Sequence, residues 1–214
     1  MHSACPLVYE RIIWLKPIGD GEQCEENEMM EKLNILVIED SAVHQQAARQ
    51  QLSEHNLTVV GSYDEGQEWL TPYGDLYCKK ACEFRKAGMS DEDASAQALK
   101  LFRWDVVLID LMLPASDQKL CSEYQHLAGQ EMPLGTALAF LALKRGVKRV
   151  AVVTDTNHHD NPASAALDVM GSSFSIGDAR VYLENSWSHD LYGSVKPWGA
   201  VLNVLLEPKA GHSV

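Results

Sequence analysis

The chain has 214 residues, 46% of them hydrophobic, which suffices for one sizeable core and not for two full domains. Its net charge is -12 and no cluster of lysine and arginine stands out, so we expect no direct binding of nucleic acid. No apolar stretch approaches the roughly 20 residues that span a bilayer, and charges interrupt the N-terminal segment, so we expect a cytoplasmic protein without membrane contact.

Residues 1–32 differ in composition from the rest of the chain. They carry the acidic stretch "EQCEENEMMEK" and precede the first strand-like run, so we expect an N-terminal extension that is partly disordered. The globular domain is then predicted to cover residues 33–208, followed by a C-terminal tail over 209–214.

Three short apolar runs rich in β-branched residues punctuate that domain. "NILVI" precedes Glu39, "DVVLI" precedes Asp110, and "RVAVV" precedes Thr154. Their continuous apolarity, without alternation, is typical of strands that are buried on both faces of a parallel sheet.

Helix-length segments lie between these strands. The segment after Asp40 places Val43, Ala47 and Leu52 roughly on one stripe, and "PLGTALAFLALKRG" begins at Pro133 and stops at Gly146. "NPASAALDVMG" repeats the proline-start, glycine-stop pattern, and the weaker strand "LTVVGS" is followed by the helical "YDEGQEWL". Alternating strands and helices predict an α/β, doubly wound fold.

Two segments are longer than the connections that this fold requires, and we interpret them as insertions. Residues 71–103 are predicted to form an extended helix or a helical hairpin, and residues 115–132 a long loop. The fifth strand has two candidates, "ARVYLEN" and "LYGSVK".

Polar side chains follow the three buried runs at the point where each strand ends. Because the carboxyl ends of parallel strands meet at one edge of a sheet, Glu39, Asp40, Asp110 and Thr154 should converge there. Carboxylates held so close repel one another unless a cation lies between them, and an all-oxygen site suits Mg²⁺.

Four motifs in this order resemble the receiver domain of two-component response regulators. They are the acidic pair after the first strand, "LIDLMLP" at the end of the third, "VVT" closing the fourth, and the late "VKPW". The resemblance implies a flavodoxin-like or CheY-like fold, with a five-stranded parallel sheet of order 2-1-3-4-5 interrupted by the helical and loop insertions.

The resemblance also implies residue roles. Asp110 matches the phosphoacceptor, which attacks the phosphoryl group of a phosphohistidine donor. Asp40 would bind Mg²⁺ directly and Glu39 through a water molecule, with the main-chain carbonyl of Met112 and the carboxylate of Asp110 completing the protein ligands.

Two further positions complete the implied pocket. Thr154 matches the hydroxyl that binds the phosphoryl group, and Lys196 matches the lysine whose ammonium binds another phosphoryl oxygen. In the family the fifth strand ends directly at that lysine; if "ARVYLEN" is the core strand here, Lys196 arrives by a long loop.

The segment "TDTNHHDN" departs from the family pattern, which commonly has a small residue beside the threonine. Asp155 instead adds negative charge near the expected anion, which would shorten the phosphorylated lifetime or indicate weak phosphorylation. His158, His159 and Asp160 are interpreted as a solvated loop, with transition-metal ligands or a proton relay as the alternative.

The resemblance implies a single-domain response regulator and not an enzyme. Its partners would be a sensor histidine kinase or phosphotransfer protein and an unidentified downstream protein. Two alternatives stay open: a degenerate receiver that serves as an interaction module, and a Mg²⁺-dependent aspartyl-phosphate phosphohydrolase. The second is disfavoured because Met112 stands where such hydrolases carry a second aspartate.

Overall fold

The computed structural model describes residues 32–116, 120–155, 162–168, 170, 172–185 and 195–207. The predicted extension apart from Lys32, the whole of the predicted tail, and the loop with His158, His159 and Asp160 lie outside the described residues. The domain boundaries therefore stay predictions.

The described residues form eight strands and seven α-helices. The strands are β1 (Asn34–Ile38), β2 (Asn56–Val60), β3 (Val106–Asp110), β4 (Leu113–Pro114), β5 (Glu131–Met132), β6 (Arg149–Thr154), β7 (Ser173–Ile176) and β8 (Ala179–Asn185). The helices are α1 (Ala42–Gln51), α2 (Tyr63–Trp69), α3 (Asp75–Lys86), α4 (Asp91–Lys100), α5 (Gly135–Lys144), α6 (Pro162–Asp168) and α7 (Trp198–Leu206).

The central sheet has the strand order β2-β1-β3-β6-β8-β7. The first five strands are parallel, and β7 adds an antiparallel edge strand to β8. In order of appearance the parallel strands follow 2-1-3-4-5, which confirms the predicted α/β, flavodoxin-like or CheY-like fold class. β8 is the fifth core strand, so the first of the two sequence candidates forms it.

Helices cover both faces of the sheet, which explains the continuous apolarity of its strands. Leu36 and Ile38 of β1 point to a core that α2, α5 and α6 complete, whereas Ile35 and Val37 point to a core that α1 and α7 complete. Burial on both faces makes the central strands rigid supports for whatever follows their carboxyl ends.

The buried stripe of α1 differs from the predicted one. Val43 is 57% exposed, and the helix instead buries His44, Ala47 and Ala48, with Leu52 just beyond its end. Positions 44, 47 and 48 follow the i, i+3, i+4 spacing of one helix face, and Val43 lies about 100° away from residue 44 around the axis. The prediction therefore missed a buried histidine.

The first insertion is helical. α3 and α4 pack against one another, and Ser90 begins α4 by accepting a hydrogen bond from the main-chain N–H of Asp93 at 3.1 Å. Cysteines 78 and 82 both lie exposed on α3.

The second insertion is more ordered at its base than the predicted long loop. β4 and β5 pair in antiparallel fashion and close it, with Leu113 opposite Met132, and a 3-10 helix over Ser122–Leu127 lies within it. Ala115 and Gly129 reinforce the closure through main-chain hydrogen bonds of 2.8 to 3.0 Å.

No helix among the described residues is long and apolar enough to cross a membrane.

Candidate functional site

The acidic cluster forms where β1 and β3 end side by side. The register pairs Ile38 with Ile109, so Glu39, the residue after β1, lies beside Asp110 at the end of β3. Ligand atoms of Glu39, Asp40 and Asp110 all lie within 4.8 Å of one another. The structure thus brings together the three carboxylates that the sequence proposes as metal ligands.

The ammonium of Lys196 lies between two of these carboxylates. Its Nζ is 2.7 Å from Oε2 of Glu39 and 2.7 Å from Oδ1 of Asp110. Lys196 is 1% exposed and Glu39 0%, so the three charged groups share an environment that excludes most water. Lys196 therefore reaches the site although it follows β8 only after residues 186–194, which lie outside the described residues.

Burial governs the electrostatics of this cluster. It raises the pKa of Asp110 to about 7, against the lowering effect of Lys196 and with a further increase from Glu39. Burial also raises the pKa of Glu39, again opposed by Lys196. For Lys196, burial alone would lower the pKa, but the attraction of Asp110 and Glu39 exceeds it and the pKa is raised. The ammonium is thus charged at neutral pH, whereas the carboxylates compete for protons.

The cluster has the donors and the charge that a divalent cation needs. When ionised, the three carboxylates and the ammonium leave two uncompensated negative charges. All of the acidic donors are hard oxygen atoms, which Mg²⁺ prefers, and the raised pKa values of Asp110 and Glu39 show the unfavourable burial that a cation would relieve. The residues present therefore fit Mg²⁺.

Main-chain and side-chain hydrogen bonds orient the two buried carboxylates. Oδ1 of Asp110 accepts from the main-chain N–H of Met112 at 3.3 Å, and Oε1 of Glu39 accepts from the N–H of Ser41 at 3.0 Å. Gln45 donates its side-chain amide to the carbonyl of Glu39 at 2.7 Å. The structure places Met112 next to the site, and the role of its carbonyl as a ligand stays a prediction.

Thr154 ends β6 on the other side of Asp110. The register pairs Asp110 with Val153, and Thr154 follows, 3% exposed. Its side chain lines a cavity of about 350 Å³ between β6, β8 and α6, together with Ser164 and Asn185. Thr154 thus stands at the edge of the site, as expected for a hydroxyl at the end of the fourth parallel strand.

Gly135 is a site residue that the sequence analysis did not identify. Its N–H donates to the carbonyl of Leu111 at 3.0 Å, and a Cβ built on it would lie 2.0 Å from the carbonyl oxygen of Asp110. Only glycine allows the first turn of α5 to approach the Asp110 main chain so closely. The glycine two residues after Pro133 was the available signal.

His44 and Gln51 of α1 were missed as well. His44 is 8% exposed, accepts from the main-chain N–H of Lys196 at 3.3 Å, and has Nε2 3.1 Å from Oδ2 of Asp155. Gln51 donates to the carbonyl of Lys196 at 3.1 Å. A histidine in the helix that follows an acidic pair is a weak signal, because its partners are distant in sequence.

Comparisons with known proteins add little. The sequence matches no protein-family model and no curated protein. Among solved structures it is similar to the crystal structure of the receiver domain of the histidine kinase CKI1 from Arabidopsis thaliana, complexed with Mg²⁺ and BeF₃⁻. The alignment covers 81% of this chain and 89% of that chain, with 14% identity and a TM-score of 0.37. At this level of likeness, the chemistry of the site has to be argued from its own geometry.

Proposed function

We propose that this protein is a receiver that accepts a phosphoryl group on Asp110 in a Mg²⁺-dependent reaction. The observation that carries the proposal is the Lys196 ammonium bound at 2.7 Å to Asp110 and Glu39 beside the acidic cluster. A nucleophilic carboxylate, an ammonium and a set of metal ligands at one sheet edge are the parts that phosphoryl transfer requires.

The reaction uses Asp110 in its ionised form. One carboxylate oxygen attacks the phosphorus of a phosphohistidine on the donor, the P–N bond breaks, and its electron pair stays on the imidazole nitrogen. The product is an acyl phosphate on Asp110. Phosphoryl transfer asks the protein mainly for positioning and charge stabilisation, which the rigid ends of β1 and β3 support.

Each remaining residue has a role in holding the transferred group. Lys196 binds one phosphoryl oxygen through its ammonium, and the hydroxyl of Thr154 donates to another. Asp40, Asp110 and the carbonyl of Met112 would hold Mg²⁺ directly and Glu39 through water. When bound, Mg²⁺ supplies charge neutralisation for the phosphoryl oxygens.

The donor and the output are proteins in this proposal. A sensor histidine kinase or a phosphotransfer protein supplies the phosphoryl group in the cytoplasm, and a downstream protein recognises the modified chain. The net charge of -12 supports protein contacts over nucleic acid or anionic membranes. The chain acts as a switch and not as a turnover enzyme.

The test is phosphorylation by a small donor. With acetyl phosphate and Mg²⁺, intact-mass spectrometry should show the addition of one phosphoryl group, which disappears with EDTA and in Asp110→Asn. Asp178→Asn is the matched control, because Asp178 lies at the surface in an exposed pair with Lys148, and it should be modified like the wild type.

Other results would decide between the alternatives. Absence of modification together with absence of Mg²⁺ affinity would indicate an interaction module that no longer accepts phosphate. Continuous release of phosphate from small esters would instead indicate a phosphohydrolase.

A further inference from the structure

Lys196 is not positioned by a strand. β8 ends at Asn185, and Val195, Lys196 and Pro197 form no strand between it and α7. A side chain at the end of a buried parallel strand inherits its position from the hydrogen-bond register of the sheet. Lys196 lacks this support, yet its ammonium is held at 2.7 Å from two carboxylates.

α1 supplies the missing support through side-chain hydrogen bonds. The N–H of Lys196 donates to Nδ1 of His44 at 3.3 Å, and its carbonyl accepts from Nε2 of Gln51 at 3.1 Å. Further along, Nε1 of Trp198 donates to the carbonyl of His44 at 3.0 Å, and the N–H of Gly199 donates to Oε1 of Gln51 at 2.8 Å. Both main-chain polar groups of Lys196 are therefore held by one face of α1.

The hydrogen bond from Lys196 determines the tautomer of His44. A main-chain N–H can only donate, so Nδ1 of His44 is an acceptor without a proton. The ring proton is then on Nε2, which donates to Oδ2 of Asp155 at 3.1 Å. Asp155 directly follows Thr154 at the end of β6. One neutral histidine thus connects the main chain of Lys196 with the segment that carries the threonine hydroxyl.

We propose that His44 is a positioning residue for phosphoryl transfer, which holds Lys196 and links it to the Thr154–Asp155 end of β6. This inference rests on the proposed function. It also gives Asp155 a role, because its carboxylate binds His44 in addition to bringing charge to the site. A displacement of about 1 Å at a transfer site can cost on the order of 100-fold in rate, so loss of this support should be measurable.

The experiment compares three substitutions in α1. His44→Leu removes both ring contacts, whereas His44→Asn retains an acceptor close to the place of Nδ1. Gln46→Ala changes an exposed position on the same helix and is the control. Affinity for fluoroberyllate in the presence of Mg²⁺, measured by titration calorimetry, reports how well Lys196 meets a phosphoryl-like group.

We expect His44→Leu to weaken fluoroberyllate binding about tenfold with little change in Mg²⁺ affinity, and His44→Asn to recover most of the loss. In a protein that already carries Lys196→Met, His44→Leu should cause no further loss of fluoroberyllate affinity, because His44 acts through Lys196. Equal binding by His44→Leu and the wild type, or an undiminished loss in the Lys196→Met background, would overturn the inference.

A second measurement does not depend on phosphoryl chemistry. Nitrogen NMR of His44 should show the proton on Nε2, and the Lys196 amide should be protected from hydrogen exchange in the wild type but not in His44→Leu. A proton on Nδ1 or an unprotected Lys196 amide in the wild type overturns this inference and leaves the proposed function untouched. Failure of the wild type to bind fluoroberyllate overturns the proposed function and the role of His44 in transfer with it.

Discussion

The acidic and basic sides of the site are built by different means. Glu39 and Asp110 stand at the ends of β1 and β3, whose side chains are buried on both faces and whose register places the two residues side by side. Lys196 lies beyond the end of β8 and is held by hydrogen bonds from His44 and Gln51. The acidic side is thus a consequence of strand pairing, whereas the basic side depends on contacts between segments that are distant in sequence.

The difference determines how each side should respond to substitution. The acidic side shares its support with the core, so damage to its support is expected to lower the stability of the fold. The basic side is held by separate hydrogen bonds from α1, so the loss of a single one of them can displace Lys196. The predictions below test this distinction from the largest expected effect to the smallest.

Removal of the Lys196 ammonium should have the largest effect. In EDTA, Lys196→Met leaves Glu39 and Asp110 buried without a cation, and we expect a loss of about 3–5 kcal/mol in the free energy of unfolding, measured with urea. The loss should shrink when Glu39→Gln is added, because one of the buried charges is then removed.

The matched control for that prediction is Lys148→Met. Lys148 forms an exposed ion pair with Asp178 at 3.2 Å, and such surface pairs contribute less than about 1 kcal/mol. If Lys196→Met is as stable as Lys148→Met, the buried ion pairs do not hold the two sides together.

Gly135→Ala tests the support of the acidic side. The new Cβ would lie 2.0 Å from the carbonyl oxygen of Asp110, so β3 and α5 must separate. We expect a loss of about 3 kcal/mol in unfolding free energy, at the upper end of the range for overpacking, together with weaker Mg²⁺ binding.

Gly199→Ala is the control for the glycine substitution. A Cβ at Gly199 would make ordinary contact with Gln51 at 3.6 Å, and alanine is favoured within a helix by up to about 1 kcal/mol. This variant should be as stable as the wild type or more so. An unchanged stability of Gly135→Ala would show that the approach of α5 to Asp110 can relax without cost.

The smallest effect concerns pH. Because burial raises the pKa of Asp110 to about 7, Mg²⁺ must displace a proton from this carboxyl at lower pH. The affinity for Mg²⁺ should therefore rise up to about tenfold for each pH unit as the pH approaches 7 from below, and level off above it.

Calorimetry across this pH range checks the prediction. Asp110→Asn has no carboxyl at this position, so its weaker Mg²⁺ binding should depend less on pH. An affinity of the wild type that stays constant from about pH 5 to about pH 8 would contradict a proton shared in the acidic cluster.

Much of the fold could be predicted because it depends on local patterns. Continuous apolar runs marked the three central strands, and their ends identified Glu39, Asp40, Asp110 and Thr154 as neighbours. Strand candidates near the C-terminus could not be separated, because "ARVYLEN" and "LYGSVK" both combine tyrosine, valine and leucine with polar residues. Pairing with β6, a long-range interaction, selects the first.

The residues that were missed share one property. Gly135 lets the first turn of α5 approach the main chain of Asp110 closely. His44 forms hydrogen bonds with Lys196 and Asp155. Both roles depend on residues that are distant in sequence. In the predicted stripe of α1, Ala47 and Leu52 are buried as expected, but Val43 is exposed and His44 is buried instead, because the helix contains few large apolar side chains to mark its buried face. Within their own segments, these features have only weak signals, which do not reveal the distant partners.

By itself, the sequence determined the parallel sheet and the acidic edge. Both depend on consecutive residues, because an unbroken apolar run indicates a strand buried on two faces and the carboxylates follow that run directly. Only the tertiary structure decided how the site is closed. It brings Lys196 to Glu39 and Asp110, and it uses α1 to hold Lys196 there, since contacts between distant segments exist only once the sheet and its helices have packed.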